Sequence, residues 1–515
     1  MTHRRKLLVI GLDAFDRGLA QRWMDEGALP NLAAQMAAGV AAGVRNPAGM
    51  ESGSLWPSFA YGCDPSFHGL YDGMRRLDPE TFDIGAHRAE DVPYRPFWSL
   101  VDEAGGRTIV IDAVTAPDVG VARGIRVIDW FAHVPAESGA TLRLRTHPPE
   151  LRQVIERDYG PDPLGGHMCD FHQPRTAAQV SWFTDALLER VRRKCALTLD
   201  LMAREEWDYF MVVFADGHCA GHHCWHLHDP SHEEHDPAVA SAVGDPLKTV
   251  YMAIDEALGR ILRQAGPEAT VLTLLSQGIG TGYTGLRLLD RILARLNGEM
   301  QEGRNRAIAG LRRAWRMLPL SLRHRLRPMH SAARNAFYRD GFLPDPQKRL
   351  CFETYCNERT SGIRINVAGR DPHGRIQPGA EYDALCDRLI GQLGDVRNDD
   401  TGEPLIASVV RTRDLYAGPR VETLPDLLVT WNREQPIHAV SSPAIGRLPH
   451  PHPSIRTGDH RPHAMLVLSG PGYAPRRVND DIDMIDLAPT LASLLDLPAT
   501  GFQGQPRAAL APVAD

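Results

Sequence analysis

The sequence predicts an α/β protein with a mainly parallel central sheet, and two observations carry that prediction. Strand and helix patterns alternate along most of the 515 residues, which is how parallel sheets with helices on both faces are built. The first strand, Lys6-Leu7-Leu8-Val9-Ile10-Gly11-Leu12-Asp13, is a continuous apolar run closed by Gly and Asp, the pattern of a strand covered on both faces. Further strands are expected at 107–112, 208–214, 270–276, 363–367, 425–430 and 464–469. Helices are expected near 30–38, 175–204, 246–265, 286–297, 379–395 and 484–496. Pro30, just inside the first helical pattern, is a favoured helix start.

Composition narrows the function classes. With 57 basic and 64 acidic residues the net charge is -7, which gives no nucleic-acid signature. The eight cysteines (Cys63, Cys169, Cys195, Cys219, Cys224, Cys351, Cys356 and Cys386) show no CxxC spacing, so neither a disulfide scaffold nor a cysteine zinc site is indicated. They suit a reducing compartment. The short apolar run after Arg4-Arg5-Lys6 lacks a cleavage site, and no stretch approaches the length of a membrane span. The expectation is a cytoplasmic protein with neither nucleic acid nor membrane as partner; the oligomeric state is left open.

Four stretches carry chemistry. Asp13 ends a buried strand, at the edge where open α/β sheets place their ligands, although an acid there also serves as a helix cap. In Met50-Glu51-Ser52-Gly53-Ser54 a serine among small residues opens a helix, near free backbone N–H groups that suit attack on an anionic centre; an N-cap serine is the alternative. His218 and His222 follow the strand Phe210–Phe214 at a spacing of four, which puts two imidazoles on one helix face where a divalent metal can be held. His223, His226, His228, His232 and His235 exceed what one ion can use. His460 precedes the strand Ala464–Leu468 and could complete a three-histidine shell, or be a loop residue without a ligand.

One segment breaks the alternation. Between Arg304 and Arg339 stand ten arginines and no acid, with Ile308, Leu311, Trp315, Leu318, Leu322 and Leu326 at helical spacing. This predicts an inserted helical subdomain or lid over 298–345, between core parts 1–297 and 346–515. Its basic face could meet an anionic substrate, or simply be solvated.

In order along the chain, Val9-Ile10-Gly11-Leu12-Asp13, Trp56-Pro57-Ser58-Phe59-Ala60-Tyr61-Gly62 with Asp64-Pro65 and His68-Gly69, Leu424–Trp431, and Gly458-Asp459-His460-Arg461-Pro462 resemble the alkaline phosphatase superfamily, in its type I phosphodiesterase/nucleotide pyrophosphatase branch. Ile363–Asn366 with Gly369-Arg370 and Tyr382 resemble its later core more weakly. The resemblance implies an alkaline phosphatase-like α/β sandwich acting on a small anionic substrate, a phosphate or sulfate ester. It implies Ser52 as the nucleophile, with Ser54 as fallback, and metal ligands at Asp13, His218, His222 and His460. His218 stands where the family carries Asp, and Asp216 is close enough to substitute. The family's Asp-His-Gly after the strand Thr270–Leu275 is here Ser276-Gln277-Gly278, so one tightly held divalent ion, zinc, is expected in place of two. A transferase of the same fold, or a non-catalytic binder of a phosphorylated ligand, are the alternatives. A rival lies in Gly280-Thr281-Gly282-Tyr283-Thr284-Gly285, the formal GxGxxG pattern of dinucleotide binding, but the chain then runs into the Arg-rich segment where a second Rossmann strand should come.

Overall fold

The computed structural model describes residues 5–72, 75–78, 82, 84–86, 92–114, 123–133, 142–283, 285, 288–299, 346–355, 359–450 and 455–513. Its frame is a nine-stranded sheet in the spatial order Arg476–Asp483, Val40–Arg45, His463–Ser469, Ala269–Leu275, Lys6–Leu12, Tyr209–Phe214, Thr108–Ile111, Gly124–Ile128, Arg145–His147. His463–Ser469 and Arg145–His147 run against their neighbours; the other strands share one direction.

Lys6–Leu12 lies near the middle, paired in parallel with Tyr209–Phe214 and Ala269–Leu275. Its side chains alternate between two cores. Leu8, Ile10 and Leu12 join Phe210, Val212 and Phe214 on one face, whereas Leu7 and Val9 join Tyr209, Met211 and Val213 on the other. Each such side chain contributes about 1.5–3 kcal/mol by leaving water, which is why the run has no polar member after Lys6. Helices Pro30–Ala38, Ala177–Arg204 and Pro246–Ala265 cover one face. Glu51–Tyr61 and Leu487–Leu494 cover the other. Thr176 and Gln179 close a reciprocal capping box at the start of Ala177–Arg204.

Three expectations need correcting. The runs at 363–367 and 425–430 do form strands, Thr360–Ile365 and Leu427–Trp431, but in a separate four-stranded antiparallel sheet with Cys351–Tyr355 and Ile406–Arg411. An apolar run signals a buried strand without saying which sheet buries it. Val40–Arg45, Gly124–Ile128 and Arg476–Asp483 are additional strands, the last an edge strand of mostly exposed polar residues with no apolar pattern to read. The last helix is shorter than 484–496, with a 3₁₀ turn Met484–Asp486 preceding Leu487–Leu494.

Of the Arg-rich segment, residues 300–345 lie outside the described residues. The large sheet takes strands from both sides of that segment. Among the described residues no helix is long and apolar enough to cross a membrane.

Gly278–Thr281 and Gly458–Arg461 pair as an antiparallel ribbon in which Ile279 faces His460. Gly278 follows the carboxyl end of Ala269–Leu275, and Arg461 precedes the amino end of the antiparallel His463–Ser469. Both strands of the ribbon therefore rise from one edge of the sheet, the edge that also carries Asp13 and Asp216.

Candidate active site

Four chain segments meet at this edge. Asp13 leaves Lys6–Leu12 at a buried position and accepts three hydrogen bonds: from Trp56 Nε1 at 2.8 Å, from Ser276 Oγ at 3.0 Å, and from His218 Nδ1 at 2.5 Å. Its carboxylate thus faces a histidine and anchors the helix Glu51–Tyr61 through Trp56. His218 and His222 lie on the helix Asp216–His228, which begins directly after Tyr209–Phe214. His222 Nδ1 donates to Gly458 O at 2.8 Å. His460 Nδ1 lies 2.7 Å from Ser52 Oγ, in the first turn of Glu51–Tyr61.

The other nitrogens of the three rings converge. His218 Nε2 is 2.7 Å from His222 Nε2 and 2.8 Å from His460 Nε2. Proton bookkeeping makes this contact informative. Asp13 and the Gly458 carbonyl are acceptors, so both Nδ1 atoms carry the proton and both Nε2 atoms carry a lone pair in the neutral ring. Two lone pairs at 2.7 Å need a positive centre between them. Burial, with His460 and Arg456 nearby, pushes the His218 pKa well below the ordinary value, and burial with Arg456 does the same for His222. A second ring proton is therefore disfavoured, and a cation fits the donor set. Imidazoles on a zinc-sized ion at bonds of about 2.0–2.1 Å stand about 3.3 Å apart, so admitting the ion asks the rings to spread by about half an ångström.

Of the residues singled out from the sequence, the fold brings Asp13, Ser52, His218, His222 and His460 together. Ser54 is buried and donates to Met50 O at 2.8 Å, so its hydroxyl is held by its own helix. Asp216 lies 3.8 Å from Arg190, and burial raises its pKa to about 6. His218, not Asp216, stands with the possible metal donors His133 and His222. Gln277 is buried, and among the described residues its Oε1 has no hydrogen-bond partner. His226, His228, His232 and His235 lie away from this point, bonded to Thr457 Oγ1, Asp245, Glu234 N and His226 O respectively.

The sequence reading missed two residues. Asp459 is buried and paired with Arg433, and its Oδ1, which has no hydrogen bond among the described residues, lies 3.7 Å from His460 Nδ1; with His222 and His460 it forms a possible metal-binding group. Its signal was its place beside His460. His133 stacks on His218 at 3.8 Å between ring centroids, and nothing local in the sequence announces it. The GxGxxG glycines have another use: a Cβ at Gly280 would meet Arg461 and one at Gly282 would meet Asp459. They let the ribbon pack closely, and Gly278–Thr281 is a strand where a phosphate-binding turn would be required.

No curated protein matches the chain in sequence. Among solved structures, the murine ectonucleotide pyrophosphatase/phosphodiesterase 5 aligns at 12% identity and a TM-score of 0.49, covering 97% of this chain and 98% of that one. An inactive form of the same murine protein in complex with AMP aligns at 12% identity and a TM-score of 0.49, over 97% of both chains. The type I phosphodiesterase/nucleotide pyrophosphatase family model matches residues 7–319, well over half of the sequence and including Asp13, Ser52, His218 and His222. The chain belongs to that family of phosphate ester hydrolases, a branch of the alkaline phosphatase superfamily.

Proposed function

We propose that this protein is a metal-dependent phosphodiesterase or nucleotide pyrophosphatase in which Ser52 is the nucleophile and His218, His222 and His460 hold one zinc-type ion. The observation that carries the reading is the approach of His218 Nε2 to His222 Nε2 at 2.7 Å and to His460 Nε2 at 2.8 Å, next to a serine hydroxyl bonded to one of the same rings. When bound, the ion would supply Lewis acidity toward a phosphoryl oxygen and toward the attacking oxygen.

The chain's own groups do the rest. His460 Nδ1 fixes the direction of Ser52 Oγ. The first-turn N–H groups of Glu51–Tyr61 favour the equatorial charge of a phosphoryl group beside Ser52. Ser52 Oγ attacks phosphorus in line and its proton passes to solvent, the departing ester oxygen takes up a proton from water, and a second water later cleaves the phosphoserine and restores the serine hydroxyl. Asp13 supports the site from behind: it fixes the tautomer and orientation of His218 and ties that ring to the nucleophile's helix through Trp56. The buried thiols are consistent with the proposed cytoplasmic location, since all seven described cysteines are free.

The test is hydrolysis of a synthetic diester, a nucleotide pyrophosphate and a monoester by chelated protein and by protein reloaded with zinc. The reading expects release from the diester or pyrophosphate that chelation abolishes and zinc restores. Full activity in the metal-free chain overturns it.

A further inference from the structure

A second donor cluster lies behind His218. The loop after Gly124–Ile128 is clamped by Asp112, which accepts from Trp130 N and Phe131 N at 2.9 Å each and pairs with the buried Lys194 Nζ at 2.7 Å. This clamp sets His133. The 3₁₀ turn Cys169–Phe171 brings in Cys169, and Asp170 beside it is bound twice by Arg456 and once by His223. Cys219 comes from the helix Asp216–His228, one residue after His218. His133 Nδ1 is 3.1 Å from Cys169 Sγ and 3.5 Å from Cys219 Sγ, and the three donor atoms lie within 4.8 Å of one another.

We propose that His133, Cys169 and Cys219 form a second metal site, thiolate-containing and suited to a divalent cation of the zinc class. A tetrahedral ion with bonds of about 2.3 Å to sulfur and 2.0 Å to nitrogen sets N···S edges of about 3.5 Å, close to the separations present. Charge favours the same occupant. All three side chains are buried, and a dication with two thiolates is neutral, so loading leaves no net charge in the interior. Binding breaks two S–H bonds and forms two metal–sulfur bonds; both protons go to solvent, and the His133 Nδ1 lone pair makes the third bond. No oxidation occurs. Three protein donors leave a fourth position open. The site is distinct from the family's second metal position, whose Asp-His pair is Ser276-Gln277 here, and it stands independently of the active-site reading.

The test uses the full chain, reduced, freed of metal and titrated with Co²⁺. A thiolate-to-cobalt charge-transfer band is expected whose full intensity corresponds to one thiolate-bound ion of the two that each chain takes up, and zinc should bleach it. Cys169→Ser and Cys219→Ser should each weaken the band at least tenfold and lower the total zinc content from two ions per chain to one. His222→Ala should lose one ion and keep the band. A wild-type chain that binds cobalt without the band overturns the proposal, as does a band that survives in the Cys169→Ser/Cys219→Ser double variant. Neither reading depends on turnover, so a failed substrate panel leaves this result intact.

Discussion

Ser52 and Ser54 stand two residues apart on one helix, and their hydroxyls have different fates. Ser52 Oγ faces His460, whereas Ser54 Oγ is spent on Met50 O. Ser52→Ala should lower turnover about a thousandfold or more with the melting temperature nearly unchanged, and Ser54→Ala should stay within about an order of magnitude of the wild-type rate. Steady-state rates on one diester substrate decide between them; the reverse ranking moves the nucleophile to Ser54. Asp13 makes a second residue-scale case. Its oxygens are engaged by Trp56, Ser276 and His218, which makes it an orienting carboxylate for the His218 ring. Asp13→Asn keeps the size and weakens the hydrogen bond to His218, so zinc affinity should fall about 10- to 100-fold in competition with a chromophoric chelator. Unchanged affinity would mean that His218 needs no such support. Asp13, Ser52, His218, His222 and His460 were singled out in the sequence because each lies in a short motif, and the fold brings them together. His133 was not: it reaches Cys169 and Cys219 across 36 and 86 residues, and spacing rules see only neighbours.

The elements that deliver these side chains depend on close backbone approach. A Cβ at Gly458 would lie 2.3 Å from Gly221 O and 2.8 Å from the Trp225 Cβ, so the ribbon Gly458–Arg461 rests directly on the helix carrying His218 and His222. Gly458→Ala should push the ribbon outward, cost about 1–3 kcal/mol of stability, and lower zinc affinity by displacing His460. Isothermal titration with zinc reads the second effect, and native affinity would show that the ribbon is compliant. In the separate antiparallel sheet, burial raises the Glu353 carboxyl pKa to about 8, assisted by Asp290, while Ser361 Oγ donates to it at 2.7 Å. The folded chain therefore holds a proton that the unfolded chain, near 4.5, has released. Stability from this group falls as pH rises from about 4.5 to about 8. Glu353→Gln should flatten that decline and stabilise the protein at pH 8 by on the order of 1–2 kcal/mol. Denaturant melts at pH 5 and pH 8 check it; a variant less stable at both assigns the charged form a structural role. Why this sheet was taken for part of the main one is also an element-scale matter. Thr360–Ile365 is buried at every position, just as a parallel central strand is, so no periodicity separates the two cases.

At the scale of the whole molecule, the site joins parts that fold from distant stretches. His218 and His222 belong to a helix set on the large sheet, His460 to a ribbon just ahead of the strand His463–Ser469, and Ser52 to a helix on the opposite face. An ion shared by His218, His222 and His460 links segments more than two hundred residues apart, an arrangement that only the fold assembles, while the histidines between His218 and His235 give the unfolded chain a weaker affinity of its own that subtracts from the effect. Binding to the folded state alone stabilises it by RT ln(1 + [L]/Kd), about 4 kcal/mol when free ion exceeds the dissociation constant a thousandfold. For a chain of this size each kcal/mol moves the melting temperature by about 2 °C or less, so returning zinc to chelated protein should raise it by several degrees. The Cys169/Cys219 cluster contributes to the same shift, and two variants separate the parts. His222→Ala should keep only the rise due to the thiolate site, and Cys169→Ser only the rise due to the three-histidine site. Adding both substitutions should remove the zinc dependence. A zinc-induced rise that survives in the double variant would place the stabilising ion elsewhere in the molecule, and wild-type protein whose melting is indifferent to zinc would leave the three converging imidazoles without the cation their lone pairs require.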